Sequence, residues 1–166
     1  MFATRVAKLV MVACLSVFAF IVAFDNVTDY DSNFEFVRHV LSMDTTFPGN
    51  AELYRAITQP VLWHLGYCAI IAGEGLTCVL LGIGAVALWR QRRADAAAFQ
   101  AAKRFTVLGV TLAFLVWFLG FIVIGGEWFE MWQSQTWNGQ QSAFRFYITA
   151  LAVLLFVHQP DGELPA

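Results

Sequence analysis

Residues 61–104 read VLWHLGYCAIIAGEGLTCVLLGIGAVALWRQRRADAAAFQAAKR. Up to Trp89 the stretch is apolar except for one acid, Glu74, and it then turns at once to Arg90, Arg92, Arg93, Lys103 and Arg104 against the single acid Asp95. An apolar run of this length needs no partner sheet to hide it. A helix crosses the hydrocarbon core in roughly 20 residues, so Val61 to Trp89 spans a bilayer with tilt to spare. The basic turn after it marks a side, because short loops rich in lysine and arginine are kept in the cytoplasm.

Outward from this stretch, three further runs have the same character. Val6 to Phe24 is just long enough to span and is read as an uncleaved helix. Arg5 and Lys8 resemble the flank of a signal peptide, but no small-x-small cleavage site precedes Asp25, and Met11-Val12-Ala13-Cys14 is a poor lipobox. Phe105 to Gly126 follows the basic turn. Ser142 to Val157 is shorter and opens with Arg145, which is expected to snorkel to the outer interface. The expectation is an all-α fold: a four-helix transmembrane bundle with a short helical extracytoplasmic cap, forming one membrane domain over 1–166. The spans are placed at 6–24, 61–89, 105–126 and 142–157, the outer cap at 25–60 and the basic cytoplasmic loop at 90–104, with both termini in the cytoplasm.

Composition agrees with this. The chain is 59% hydrophobic, 16% aromatic and only 13% charged, where soluble domains carry about 25% charged residues. A basic face for nucleic acid is missing, and Cys14, Cys68 and Cys78 sit singly in apolar runs without zinc or redox spacing. The segment between the first two spans is acidic, with Asp25, Asp29, Asp31, Glu35, Asp44 and Glu52 against Arg38 and Arg55. It belongs outside. Trp63, Trp128, Trp132 and Trp137 fall near the same ends of the helices, at headgroup level, while Trp89 marks the inner face.

A segment as long as Asp25 to Gln59 is expected to be structured. Ser32-Asn33-Phe34-Glu35 fits a capping box, and Phe34, Val37 and Leu41 make an apolar stripe for a helix on the bundle mouth. Phe47-Pro48-Gly49-Asn50 ends it, and Asn50 with Glu52 starts a second helix leading into Pro60. The third span is expected to continue as helix to Gln133, with Asn138-Gly139 the turn into the fourth.

Several blocks resemble a known family: Asn26-Val27-Thr28-Asp29-Tyr30-Asp31-Ser32-Asn33, Phe36-Val37-Arg38-His39-Val40-Leu41-Ser42-Met43-Asp44-Thr45-Thr46-Phe47-Pro48, Tyr54-Arg55-Ala56-Ile57, Gly125-Gly126-Glu127-Trp128-Phe129 and Trp137-Asn138-Gly139-Gln140. From about Val6 to Tyr147 the chain is similar to an uncharacterised bacterial family of predicted small integral membrane proteins, DUF2165, with Tyr54 standing where a tryptophan is expected. The resemblance implies a bacterial inner-membrane protein and supplies no activity.

The candidate chemistry is sparse. Glu74, flanked by Gly73 and Gly75, lies mid-span, where a lone ionised carboxylate costs several kcal/mol. At 100° per residue His64, Tyr67, Ile71, Glu74 and Cys78 share a helix face, so this seam is expected to face the bundle interior. Two readings stand: a proton, cation or quinone site made by His64, Tyr67, Glu74 and Arg145, or interhelical hydrogen bonds that hold the bundle together. His64 and Glu74 are separated by about 15 Å along the axis and cannot form a dyad. On the outer face His39, Glu127, Glu130, Trp128 and Trp132 are candidates for interaction. Glu127 and Glu130 could act as a carboxylate pair, although such pairs are more often a solvated face or partners for Arg145 or Arg55. His39 and His64 are the outer histidines that a haem would need. No catalytic residue, metal site or resident cofactor is expected, quinone or haem b being the alternative. The sequence motifs of hydrolases and of nucleotide-binding loops are absent. The leading expectation is a non-enzymatic accessory or assembly subunit that contacts the lipid bilayer and other membrane subunits or copies of itself. The alternatives are a quinone- or haem-associated redox module and, behind it, a small transporter or channel, for which the first and third spans offer almost no polar path.

Overall fold

The computed structural model describes residues 1–164. Helix α1 runs from Phe2–Thr28, α2 from Tyr30–Ser42, α3 from Pro60–Gln91, α4 from Ala96–Ala101, α5 from Arg104–Phe114 and α6 from Gln140–His158. Beyond Phe114, α5 continues as a π-helix over Leu115–Trp128. Four helical runs, Phe2–Thr28, Pro60–Gln91, Ala96–Trp128 and Gln140–His158, are long and apolar enough to cross a membrane. The protein is all-α, as the length and hydropathy of its apolar runs imply.

Each span exceeds its sequence-based bounds because the helix persists past the hydrocarbon core into the interface, where polar residues still favour it. The most consequential extension is that of α1, expected to end at Phe24: it continues to Thr28, so Asp25 and Asn26 stand on a spanning helix and not in the cap.

The spanning helices pack as a ring in which α1 lies along α3, α3 along α5, and α6 against α5, its π continuation and α1. Backbones approach closely at the α3–α5 seam. A Cβ on Gly84 would stand 2.9 Å from the backbone nitrogen of Thr106, and one on Gly109 would stand 2.8 Å from the Leu81 side chain. Small residues let helix backbones approach where lipid offers no hydrophobic drive to push them together. Val12, Leu81, Leu88, Val110, Ala113 and Trp117 fill the centre, while Val17, Phe20, Leu65, Leu76, Val79 and Leu155 point away from it, uncovered. Such a large apolar exterior is untenable in water and ordinary in lipid.

The π winding over Leu115–Trp128 was not legible in the sequence. Gly120, Gly125 and Gly126 lower the local preference for α geometry, and the wider winding turns Trp117 and Gly125 inward, both buried. The helix then ends: Glu130 takes a left-handed backbone with φ 53°, and only a 3₁₀ turn, Met131–Gln133, replaces the continuation expected to Gln133.

The cap is α2 and the chain on either side of it. Val37 of the expected stripe is buried, together with Val40, which was not part of it, while Phe34 and Leu41 are half-buried. The capping box does not form, because α2 starts before Ser32: Ser32 Oγ donates to Asp29 Oδ1 at 2.8 Å, and Glu35 accepts from Arg38 at 2.6 Å instead. The second cap helix is reduced to one 3₁₀ turn, Leu53–Arg55. Asn50 Oδ1 accepts the Glu52 amide at 2.8 Å in an Asx turn, which competes with helix. At the other end of the bundle the basic stretch 90–104 is mostly helical, with Asp95 capping α4 through the Ala98 amide at 2.7 Å and Phe99 fully buried.

Candidate functional site

Tyr67 and Glu74 are two turns apart on α3 and both are 2% exposed. Asn26, on the last turns of α1, reaches them from across the seam. Its Nδ2 donates to Glu74 Oε2 at 2.7 Å, and Tyr67 Oη donates to its carbonyl oxygen at 3.0 Å and to its Oδ1 at 3.2 Å. Three polar side chains thus hydrogen-bond one another in a buried seam, as polar groups inside a membrane require.

A cavity of about 270 Å³ opens beside them, between α1, α3, α6, the π segment and the underside of α2. Asn26, Asn33, Tyr67, Glu74 and Ser142 supply its polar wall, and the rest is shared between the rings of Phe36, Trp117, Phe121 and Phe146 and small or aliphatic residues. Of the residues expected to form the intramembrane site, the structure brings Tyr67 and Glu74 together here and leaves two out. His64 is exposed on α3, stacked on Phe34 with ring centroids 4.2 Å apart, and its Nδ1 lies 2.8 Å from Tyr30 Oη. Arg145 is exposed in a groove between α1 and α6 lined by Val10, Cys14 and Phe18. Ala143 faces the bundle, and Arg145, two residues on, is turned about 200° from it. Cys78, at the far end of the seam, meets Ser16 of α1, whose Oγ donates to the Cys78 carbonyl at 2.9 Å.

The outer-face candidates separate as well. His39 stacks on Trp137 with ring centroids 4.6 Å apart. Arg38 Nη2, which can only donate, lies 2.8 Å from His39 Nε2, which places the proton on Nδ1, 2.8 Å from Asp44 Oδ1. His39 and His64 therefore have separate surroundings and do not present a ligand pair. Glu127 is exposed near the end of the π segment, whereas Glu130, beyond the helix, accepts from Asn50 Nδ2 at 2.5 Å. They do not form a carboxylate pair on one helical face. Gln133 joins the same network by accepting the Phe47 amide at 2.8 Å. Trp128 and Trp132 remain about half exposed. Among the described residues no group of three or more His, Cys, Asp or Glu side chains is placed to hold a metal.

The family described as a predicted small integral membrane protein, DUF2165, matches residues 4–160. The chain belongs to this family. It is a DUF2165 protein over nearly its whole length, an integral membrane protein in contact with lipid through the apolar exterior described above. No curated protein and no solved structure matches it.

One polar cluster of this DUF2165 chain escaped the sequence reading. Where the two termini meet, Arg5, Lys8 and Lys103 are all at most 2% exposed. Lys8 Nζ donates to Asp161 Oδ2 at 2.9 Å and to the Gln159 carbonyl at 2.7 Å, and Lys103 Nζ donates to the same two residues. The Arg5 guanidinium donates to the carbonyls of Ala94 and Gly162 and lies over Phe99, 4.8 Å from the ring centroid. Burial works against ionisation of Asp161, but hydrogen bonds from Lys103 and Lys8 outweigh it and hold the carboxyl below its usual range. In the sequence Arg5 and Lys8 resemble the flank of a signal peptide, and Lys103 belongs to the basic loop. The available signal was Asp161, an acid just past the fourth span.

Proposed function

We propose that this protein is a non-enzymatic accessory or assembly subunit of a larger membrane complex, docking through its cap. One observation carries the reading. Arg55 is stacked between Tyr54 and Trp128, with its guanidinium carbon 5.5 Å and 4.7 Å from the two ring centroids, paired with Glu52 and donating to the Trp128 carbonyl at 3.3 Å. Tyr54 is 75% exposed and Trp128 52%. Arginine, tyrosine and tryptophan dominate the energetics of protein interfaces, and here their geometry is set in advance by the Asn50–Glu130 and Phe47–Gln133 hydrogen bonds behind them. Holding a contact surface rigid before binding reduces the ordering cost of association. His39, His64 and Glu130, three of the side chains that could have done chemistry, are tied to partners inside the fold, which supports a structural use for them.

In this reading the cap faces outward and both termini lie in the cytoplasm of a bacterial inner membrane, supported by Arg90, Arg92, Arg93 and Arg104 at the end opposite the acidic cap. The partner is another integral membrane protein with a concave, apolar extracytoplasmic face. The test is native mass spectrometry of tagged protein extracted from its own membranes in mild detergent. Wild type is expected to carry a second membrane polypeptide at fixed stoichiometry, absent from a Tyr54→Ala/Trp128→Ala variant that is itself monodisperse. Monomer alone from both would overturn the proposal.

A further inference from the structure

We infer that the cavity beside Glu74 is a binding site for a small organic ammonium ion. The proposal goes beyond the accessory role and rests on different residues. Glu74 is almost fully buried, and its Oε2 takes the single hydrogen bond from Asn26, leaving Oε1 without a partner beside the cavity. Asn33 and Ser142 also line the cavity and make no side-chain hydrogen bond among the described residues. One carboxylate and two neutral polar groups therefore line one partly open space, with Glu74 buried and Asn33 and Ser142 exposed.

The remaining wall combines aromatic rings with Val22, Val37, Ile70 and Ala143. Phe36 and Phe121 stack with centroids 5.9 Å apart, Trp117 and Phe146 meet edge to face at 5.7 Å, and Tyr67 closes the side next to Glu74. Ring faces attract cations through their quadrupoles, most strongly where water is excluded, and alkylammonium groups, which shed water readily, are the cations that such cages take. A bare inorganic cation such as calcium wants about six or more oxygen ligands, more than Glu74, Asn33 and Ser142 supply here. At about 270 Å³ it is smaller than the roughly 300–1,000 Å³ of drug-sized sites, which limits the occupant to a group of few heavy atoms such as trimethylammonium. Gly139 keeps that space open: a Cβ there would stand 2.9 Å from Phe36 Cζ and 3.2 Å from Phe121 Cδ1.

The charged group and the cage make separable contributions. Isothermal titration of purified protein in phospholipid-free detergent with tetramethylammonium and with choline should show saturable binding. The uncharged choline isostere 3,3-dimethylbutan-1-ol should bind at least tenfold more weakly. Glu74→Gln, which keeps the side-chain volume and an acceptor for Asn26, should cost at least tenfold in affinity while the protein stays monodisperse, and Trp117→Leu should weaken binding with the charge intact. Competition by dihexanoylphosphatidylcholine as strong as by tetramethylammonium would identify a lipid head group as the source of the ammonium, and competition by the free ion alone a solute. Both uphold the site. No saturable binding of either cation, equal binding of the neutral isostere, or unchanged affinity in Glu74→Gln would overturn it.

Discussion

Asn26 and Glu74, 48 positions apart in the chain, share a 2.7 Å hydrogen bond in the buried seam between α1 and α3. Glu74 is the only charged residue of its span's apolar stretch, and the carboxamide from the neighbouring helix, steadied by Tyr67, is what makes it tolerable there. Interhelical polar contacts in membranes are worth about 1–2 kcal/mol at most.

Asn26→Ala should therefore lower stability by about 1–2 kcal/mol, since it strands the Glu74 carboxyl, while the Tyr67 hydroxyl keeps the backbone carbonyl of residue 26 as its acceptor. Glu74→Gln should be close to neutral. Thermal unfolding in detergent, with the Asn26→Ala/Glu74→Leu double variant recovering part of the loss, checks the pair; additive losses would show that the two residues do not interact.

Asp161 gives the protein an acid limit. Its folded-state carboxyl titrates below the unfolded value of about 3.9, so its contribution is complete above that pH and is lost as the pH falls through the lower, folded value. Melting temperature in detergent should drop on acidification below about pH 4. Asp161→Asn should melt lower at neutral pH, because Lys8 and Lys103 are then buried without a counter-charge, and should lose this acid-dependent component. A variant as acid-sensitive as wild type would place the effect elsewhere.

Two glycines of α3 should respond in opposite ways. Gly84→Ala puts a methyl 2.6 Å from Thr106 Oγ1 and 2.9 Å from its backbone nitrogen, and overpacking of this kind typically costs about 1–3 kcal/mol. At Gly75 an added Cβ meets nothing within 4 Å, so Gly75→Ala should be neutral or stabilising by up to about 1 kcal/mol through helix propensity. Melting curves of the two variants decide this, and equal destabilisation would contradict the close α3–α5 seam.

Sidedness has its own check. With native cysteines replaced, Asp44→Cys in the cap should react with a membrane-impermeant maleimide on intact cells, and Arg93→Cys should react only after permeabilisation. The reverse pattern would invert the proposed topology.

The four spans were legible because length and hydropathy alone decide them, and the cap helix because its stripe has helical period. What the sequence withheld was lateral. Periodicity puts Glu74 and Tyr67 on one face of α3 but cannot say which helix lies opposite, and Asn26 was hidden by a span boundary drawn where apolar residues stop, one turn before the helix does. Arg145 was assigned to the Glu74 site by membrane depth, while its side of α6 depends on Ala143 facing inward. Asp161 belongs to an irregular tail, where no period indicates contacts, and the π winding over Leu115–Trp128 leaves no periodic mark in a run that is apolar nearly all round.

The docking role of the cap is tested most directly by native mass spectrometry of the wild type beside the Tyr54→Ala/Trp128→Ala variant, both extracted in mild detergent from their own membranes. A second membrane polypeptide at fixed stoichiometry on the wild type, missing from an otherwise intact variant, is the predicted result. A bare monomer in both preparations, or a partner retained when the stack around Arg55 is removed, would contradict it.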